Sequence, residues 1–286
     1  MDLRFLQSLV AVAETGSIAA AARREKLTAA AVSQRVQALE RELDCALLVR
    51  SAHAARPTQA CLALLPRARR LIREAALLKD DIAGGALSGE LAVGAISTML
   101  TGLMPGALDA LTRTAPGLKL QLVPGSSLQL YEQLAHGALD AAVLVAPPFA
   151  LPKGLAARLL RTEPLVLLSR EPVAPGEVEA AIRAGPFIRY DPASWGGRLV
   201  ADYMKARGLF PEVRCDLDAL ETIALLVARG MGHALVPLWP GLEASGLHIC
   251  PVADAQDFAR RIVCLHPALP ARAEALGALI AALDGA

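Results

Sequence analysis

The sequence predicts a mixed α/β chain in three stretches: an N-terminal winged helix-turn-helix, a long linker helix, and a larger two-lobed α/β body. Three observations predict it. The first sixty residues carry short helical periods that end in a strand-turn-strand pattern. An apolar stripe then recurs at three- and four-residue steps from 58 to 83 before a glycine-rich break. Beyond Gly89 strands and helices alternate. The 286 residues suffice for two or three cores, and an Ala- and Leu-rich composition that is 54% hydrophobic favours helices over an all-β design. The expected boundaries are 1–58, 59–89 and 90–286.

In the head, Leu3, Leu6, Leu9, Val10 and Ala13 form one helical face, and Glu14-Thr15-Gly16-Ser17 ends that helix. Ser17 can cap a second helix over 18–25, and Thr28 a third running to about Leu43. Residues 47–50 read as a strand, 51–53 as a polar tip and 54–57 as the return strand of a wing. From 58 to 83, Leu64, Leu65, Ala68, Leu71, Ile72, Ala75, Ala76 and Leu78 recur at helical spacing, with Arg67, Arg69, Arg70 and Arg73 between them. Pro66 predicts a start or a kink. A long helix with one apolar stripe usually buries that stripe against a partner chain. Gly84 to Gly89 is the clearest linker.

In the body, strands are expected at 91–96, 118–123, 141–145, 165–168, 187–190, 213–217, 234–237 and 261–265. Helices are expected at 103–112, 128–135, 178–184, 198–207, 220–228 and 271–283. This alternation implies parallel-rich sheets. The roughly 195 residues suit two small lobes better than one sheet.

Composition narrows the function. Net charge is only +1, but residues 1–88 hold 13 Lys+Arg against 9 Asp+Glu, leaving 16 against 19 for the rest. A basic head on a slightly acidic body fits one segment that meets phosphates and another with a different task. The five cysteines, Cys45, Cys61, Cys215, Cys250 and Cys264, are scattered, with no C-x-x-C and no Cys/His cluster. They read as buried thiols of a reducing compartment, and no metal or other cofactor is expected. No stretch reaches about 18 uncharged apolar residues, so no membrane span is expected. Met1 to Arg4 is charged and leads straight into an amphipathic pattern, so neither a signal peptide nor export is expected and the location reads as cytoplasmic. Motifs of hydrolases, zinc proteases, P-loop proteins and dinucleotide-binding enzymes are missing from the sequence, so an enzyme is not expected.

Two short helices joined by a tight turn form a helix-turn-helix candidate. On the third helix Val32, Val36, Leu39 and Leu43 share an inward face, leaving Ala29, Ala30, Ser33, Gln34 and Gln37 outward. Gln34 and Gln37 can pair with adenine edges, and the methyls of Ala29 and Ala30 can meet thymine. Thr28, Ser33 and the N–H groups at the helix start suit phosphates. Arg50, His53 and Arg56 on the wing would add phosphate or minor-groove contacts. Spacing alone is met equally by a small helical domain with a solvated polar face.

The residues Leu3-Arg4-Phe5-Leu6, the run from Ala11 to Ser17, Ala19 to Ala22, the run from Ala31 to Glu40 and Leu47-Leu48-Val49-Arg50 resemble the LysR-type transcriptional regulators, and Thr58 and Ala60 fall in place for the motif that closes their DNA-binding domain. The resemblance extends through Gly89 to Gly94, Gly137 to Val143 and Ala228 to Pro237. It adds Arg35 to the DNA-facing candidates. Val32-Ser33-Gln34-Arg35-Val36, with Leu47 to Arg50 and Arg56-Pro57-Thr58, looks most like the branch that controls basic amino-acid exporters. The chain departs from the family's pattern in three places. Ala29-Ala30 stands where a Gln-Pro or Gln-Ser pair is usual. Cys61 stands where Gly is usual, and His53 where Arg is frequent, which would make wing affinity pH-dependent.

The resemblance implies a periplasmic-binding-protein-like body, with lobe one at 90–161 and 266–286, lobe two at 162–265, and a small-molecule effector, a small carboxylate or amino acid, in the cleft. It also implies double-stranded promoter DNA and RNA polymerase as partners, and a homodimer that assembles into a tetramer. The residues agree at one junction. Ser97 and Thr98 end the first strand just before a helix, where hydroxyls and N–H groups suit a carboxylate. Ser126 and Ser127 offer a second junction, and Val145 ends the strand between the lobes' expected walls. The same Ser and Thr residues are also simple helix caps. In lobe two, Tyr190 and Trp195 could line the cleft, Trp195 serving equally as a packing residue, and Glu221 or Thr222 could meet an amine or hydroxyl. Gly230 and Gly232 read as a tight turn. A ligand-independent repressor with a filled cleft fits the same sequence; a free-standing solute-binding protein would lack the head.

Overall fold

The structure, a computed structural model, describes residues 2–50, 55–83, 87–242 and 246–286. The chain divides into two compact units, residues 1–85 with 135–138, and the remainder.

In the first unit, helices α1 (Leu3–Thr15), α2 (Ile18–Glu25) and α3 (Ala29–Glu42) are followed by strands β1 (Leu48–Arg50) and β2 (Ala55–Pro57) and by helix α4 (Gln59–Ala83). Helix α1 is opened by the Asp2 carboxylate, which accepts from the Arg4 amide at 2.9 Å, and closed by Gly16 at φ +66°. The expected caps form: Ser17 Oγ accepts from Ala20 N at 3.4 Å and Thr28 Oγ1 from Ala31 N at 3.1 Å. Leu6, Leu9, Val12, Ala21, Val32, Val36 and Leu39 are fully shut from solvent. Each large aliphatic among them contributes about 1.5–3 kcal/mol. Leu43 corrects the expected inward face. It is the C-cap residue of α3 and 40% exposed, because the helix ends before its turn can bring Leu43 under Leu39.

Helix α4 runs through Pro66 without ending. Its expected single stripe divides. Cys61, Leu65 and Ala68 are buried and Ile72 packs beside them, at i, i+4, i+7 and i+11, all against the core of the head. Leu62 and Leu71 stay exposed on other faces.

The second unit runs β3 (Gly89–Ala95), α5 (Ser97–Gly102), α6 (Met104–Thr114), β4 (Leu118–Pro124), α7 (Ser127–Ala135), β5 (Ala141–Val145), β6 (Leu155–Glu163), β7 (Leu165–Ser169), α8 (Val178–Ala184), β8 (Phe187–Tyr190), α9 (Trp195–Ala206), β9 (Val213–Leu217), α10 (Leu220–Ala228), β10 (Ala234–Pro237), β11 (His248–Pro251), β12 (Arg260–Pro267) and α11 (Ala273–Asp284). One five-stranded sheet has the order β4-β3-β5-β12-β6. Its β3 is parallel to β4 and β5, whereas β12 is antiparallel to both neighbours. A second, wholly antiparallel sheet has the order β10-β7-β11, and β8 and β9 form a parallel pair tied to β10 by a bridge between Phe187 and His233. Each region has its own core, one around Val93, Met99, Val143 and Leu279, the other around Leu167, Phe187, Ile223 and Leu235.

Two expectations change. Strands β6 and β11 were not among those expected. The return to the first sheet also comes earlier than 266, because the whole of β12, from Arg260, pairs with β5 and β6. Glu163 and Arg260 are partners in that register, so the chain leaves the first sheet and re-enters it on adjacent strands.

Candidate functional site

The head presents its candidate surface on α3. Thr28, Ala29, Ala30, Gln34 and Gln37 are exposed and Ser33 is half-buried. Thr28 Oγ1 accepts from Ala31 N, so of the first-turn amides those of Ala29 and Ala30 remain without intrahelical partners. Arg35 turns the other way. Its Nη1 lies 3.4 Å from Ser8 Oγ and 3.9 Å from Glu25 Oε2, while Ser8 Oγ donates to that same carboxylate at 2.7 Å. This triad ties α1, α2 and α3 together, which fixes the angle of α3 rather than offering Arg35 to a ligand. On the wing, Arg56 is exposed on β2. His53 lies outside the described residues, as does the side chain of Arg50. Glu40 Oε1 sets the root of the wing by accepting from Leu47 N at 2.8 Å and Leu48 N at 3.1 Å. Thr58 caps the start of α4 at Cys61 N, 3.1 Å.

The second unit holds a cavity of about 460 Å³, within the range of small-molecule sites. It lies where β3, β4, β8 and β9 end and the helices that follow them begin, the usual ligand position of open α/β sheets. Ser97, Thr98, Ser126, Ser127, Val145, Tyr190 and Trp195 all line it. Several are already engaged. Ser97 Oγ donates to Glu221 Oε2 at 3.1 Å. Ser126 Oγ and Gln129 form a reciprocal cap, with Gln129 Oε1 accepting from Ser126 N at 3.1 Å and Ser126 Oγ from Gln129 N at 3.4 Å. Ser127 Oγ accepts from Val145 N at 3.2 Å. Thr222 is exposed and stands outside the lining. Ser126 is thus a helix cap that also lines the cavity.

The structure adds residues that sequence reasoning passed over. Arg260, 2% exposed, forms the floor of the cavity. Its Nε donates to Glu163 Oε2 at 2.6 Å and its Nη2 to Thr98 Oγ1 at 3.2 Å. Glu163 is wholly buried, and Arg161 Nε lies 3.2 Å from its other oxygen. Burial pushes the Glu163 carboxyl up while Arg260 and Arg161 draw it back. Tyr190 accepts from the Arg260 guanidinium and sits beside Ser194, and burial holds its phenol above the usual range, so it stays neutral. Asp191 and Asp218, in the loops after β8 and β9, also line the cavity. Trp195 meets Tyr131 and Phe149 at ring-centroid distances of 6.0 and 5.7 Å, and those two are 5.2 Å apart. Trp195 is thus both a cleft wall and a packing residue. A signal for Arg260 existed: a charge directly before the apolar run Ile262 to Leu265 marks a strand mouth, but nothing local separates it from exposed Arg261.

Among the described residues no cluster of His, Cys, Asp or Glu is placed to hold a metal, and no helix is long and apolar enough to cross a membrane. The cysteines are free thiols, and burial pushes that of Cys264 up to about 12.

A family model described as "Bacterial regulatory helix-turn-helix protein, lysR family" matches residues 3–62, and one described as "LysR substrate binding domain" matches residues 84–286. The chain is 30% identical over 246 residues to HTH-type transcriptional regulator IlvR of Caulobacter vibrioides, covering 83% of this chain and 82% of that protein. It is 28% identical over 261 residues to the nitrogen assimilation regulatory protein nac of Klebsiella aerogenes, covering 89% and 82%. Among solved structures, a full-length OxyR variant from Pseudomonas aeruginosa superposes with a TM-score of 0.73 at 22% identity, covering 99% of this chain and 94% of that one. Full-length CbnR complexed with its target DNA gives 0.70 at 20% identity, covering 100% and 99%. At these identities the structural likeness is one of fold.

Proposed function

The chain belongs to the LysR family of DNA-binding transcription regulators with an effector-binding domain, and on that premise we propose that α3 reads double-stranded promoter DNA while the body's cavity holds a small-molecule effector. The observation that carries the DNA reading is the Thr28-capped start of α3, with Ala29, Ala30, Gln34 and Gln37 exposed on it. A 14-residue helix about 21 Å long fits the major groove. Ala29 and Ala30 offer only methyls there, so polar base reading falls to Gln34 and Gln37, with Ser33 on phosphate and Arg50, His53 and Arg56 supplying wing contacts. Arg35 leaves this list in favour of its place in the Ser8–Glu25 triad. The motif from Val32 to Val36 supports a head of the basic amino-acid exporter branch.

The protein works as an oligomer, as its family does. We place the dimer seam on α4, where Leu62 and Leu71 are exposed, and read the assembly as a tetramer of two such dimers. Effector occupancy changes the bend of the bound DNA and so its contact with RNA polymerase, in the cytoplasm. The open cavity supports this reading over that of a ligand-independent repressor.

A gel-shift titration on the DNA flanking the protein's own gene tests the DNA reading. Gln34→Ala is expected to weaken the specific complex by about 1–3 kcal/mol while leaving complexes with random DNA unchanged. Equal losses on both DNAs would refute base reading by Gln34. Absence of any salt-sensitive, sequence-preferring complex would refute the DNA reading of α3 itself.

A further inference from the structure

Ser97, the exposed first residue of α5, lines the cavity, and its hydroxyl is already in use. Its Oγ lies 3.1 Å from Glu221 Oε2. The two residues belong to different lobes, since α5 packs with the core around Met99 and α10 with the core around Ile223. A carboxylate only accepts, so the proton in this bond is that of Ser97. The Glu221 carboxylate has no other hydrogen bond or ion pair among the described residues, and its Oε1 is shut from solvent without a donor. The far end of α5 is also held to lobe two. Gly102 lies so close to Pro240 that an added Cβ would sit 2.8 Å from the proline ring.

With its proton committed to Glu221, Ser97 shows the cavity lone pairs. A ligand carboxylate at that hydroxyl would have to draw the proton away. Glu221 would then lose its one partner, and two negative charges would share a single hydroxyl. The only cation among the described lining residues, Arg260, is committed to Glu163, Thr98 and Tyr190. A ligand hydroxyl or amine makes no such demand, because it donates to Ser97 Oγ and leaves the bond to Glu221 intact. Resting on the effector reading above, we propose that Glu221 is a specificity residue of the cavity. Acting through Ser97, it selects a ligand that presents a hydrogen-bond donor, a hydroxyl or an amine, to the start of α5 in place of a carboxylate. Because Glu221 comes from the other lobe, the same bond ties this choice to the contact between lobes. A donor keeps Ser97 and Glu221 together, whereas a carboxylate drives them apart.

Calorimetric titration of the full-length protein tests this with sets that differ only in that group. L-homoserine is paired with L-aspartate, γ-hydroxybutyrate and γ-aminobutyrate with succinate, and D-glucose with D-glucuronate. In whichever set binds, a donor member should bind at least about 10-fold more tightly than the carboxylate member. The amide of Glu221→Gln can donate to Ser97 Oγ and free its proton for the ligand. That variant should bring the members within about 2-fold, mainly by tightening the carboxylate one, whereas a merely structural role would weaken both. Ser97→Ala should weaken the donor member by about 10-fold and leave the carboxylate member unchanged. A carboxylate member that binds wild type as tightly as its donor counterpart overturns the proposal, and so does a Glu221→Gln variant that weakens both alike. Silence from every set overturns it too, and a thermal-shift screen of other metabolites then separates the two readings. A stabilising compound of another kind spares the effector site, and no stabilising compound at all removes it as well.

Discussion

Glu14 shows how much one side chain can coordinate. Partial burial would raise its carboxyl, but Arg24, at 2.6 Å, and Arg69, at 3.1 Å, outweigh burial and hold it below the ordinary glutamate value of 4.5. It thereby links α1 to α2 and to α4. A depressed carboxylate stabilises the fold fully above its unfolded pKa and loses that contribution as pH falls through the folded one. Both pairs are a third or more exposed, so their worth near neutrality is about 0.5 kcal/mol. Glu14→Gln should lower the head's unfolding transition by that amount at pH 7, and the difference from wild type should shrink to nothing in acid. A difference that persists at pH 2–3 would show that packing, not charge, is at stake. Arg35 carries the complementary lesson. From sequence it stood among the DNA-facing candidates because it lies in the run from Ala31 to Glu40 that resembles the family's. Its partners, Ser8 and Glu25, lie 27 and 10 positions away, and no local spacing shows that.

At the scale of elements, helices were legible from their period, with or without a side-chain cap. Residues 178–184 and 220–228 form helices over those same residues, and Ser17 and Thr28 cap where expected. Strand β6 was not legible because Leu155 to Glu163 lacks a period-two alternation and carries Arg158 and Arg161. It is an edge strand, and its pairing with β12 depends on residues a hundred positions away. The cavity was half legible for the same reason: the Ser and Thr residues at strand ends announce themselves, whereas Arg260 and Asp218 reach the site only through topology. Helix α9 makes a sharper claim. A Cβ on Gly197 would overlap the backbone carbonyl of Asp191, and one on Gly196 would strike the Tyr190 hydroxyl. Gly197→Ala should therefore destabilise the body by about 2–3 kcal/mol, since backbone must move, as read by calorimetry. Gly196→Ala should displace Tyr190 from Arg260 and show itself mainly as weaker ligand binding. Unchanged melting of Gly197→Ala would mean that the start of α9 has room the geometry denies.

For the molecule as a whole, the salient fact is that Glu163 and Arg260 face each other across β6 and β12. Everything between them, including the sheet β10-β7-β11 and the pair β8-β9, is one continuous excursion whose two ends lie side by side. Such a segment has the anatomy of an inserted module. Replacing 164–259 with a two-residue Asn-Gly turn would convert β6 and β12 into an ordinary hairpin and leave all five strands of the first sheet in place. The shortened chain should keep a cooperative calorimetric transition for that sheet while losing the cleft. A molten product, with helical signal but no transition, would show that the first lobe leans on its insert. Should it fold, the second lobe is an insert at a hairpin tip that the first sheet does not need for its own stability, and the place to hold a signal comes and goes with that insert.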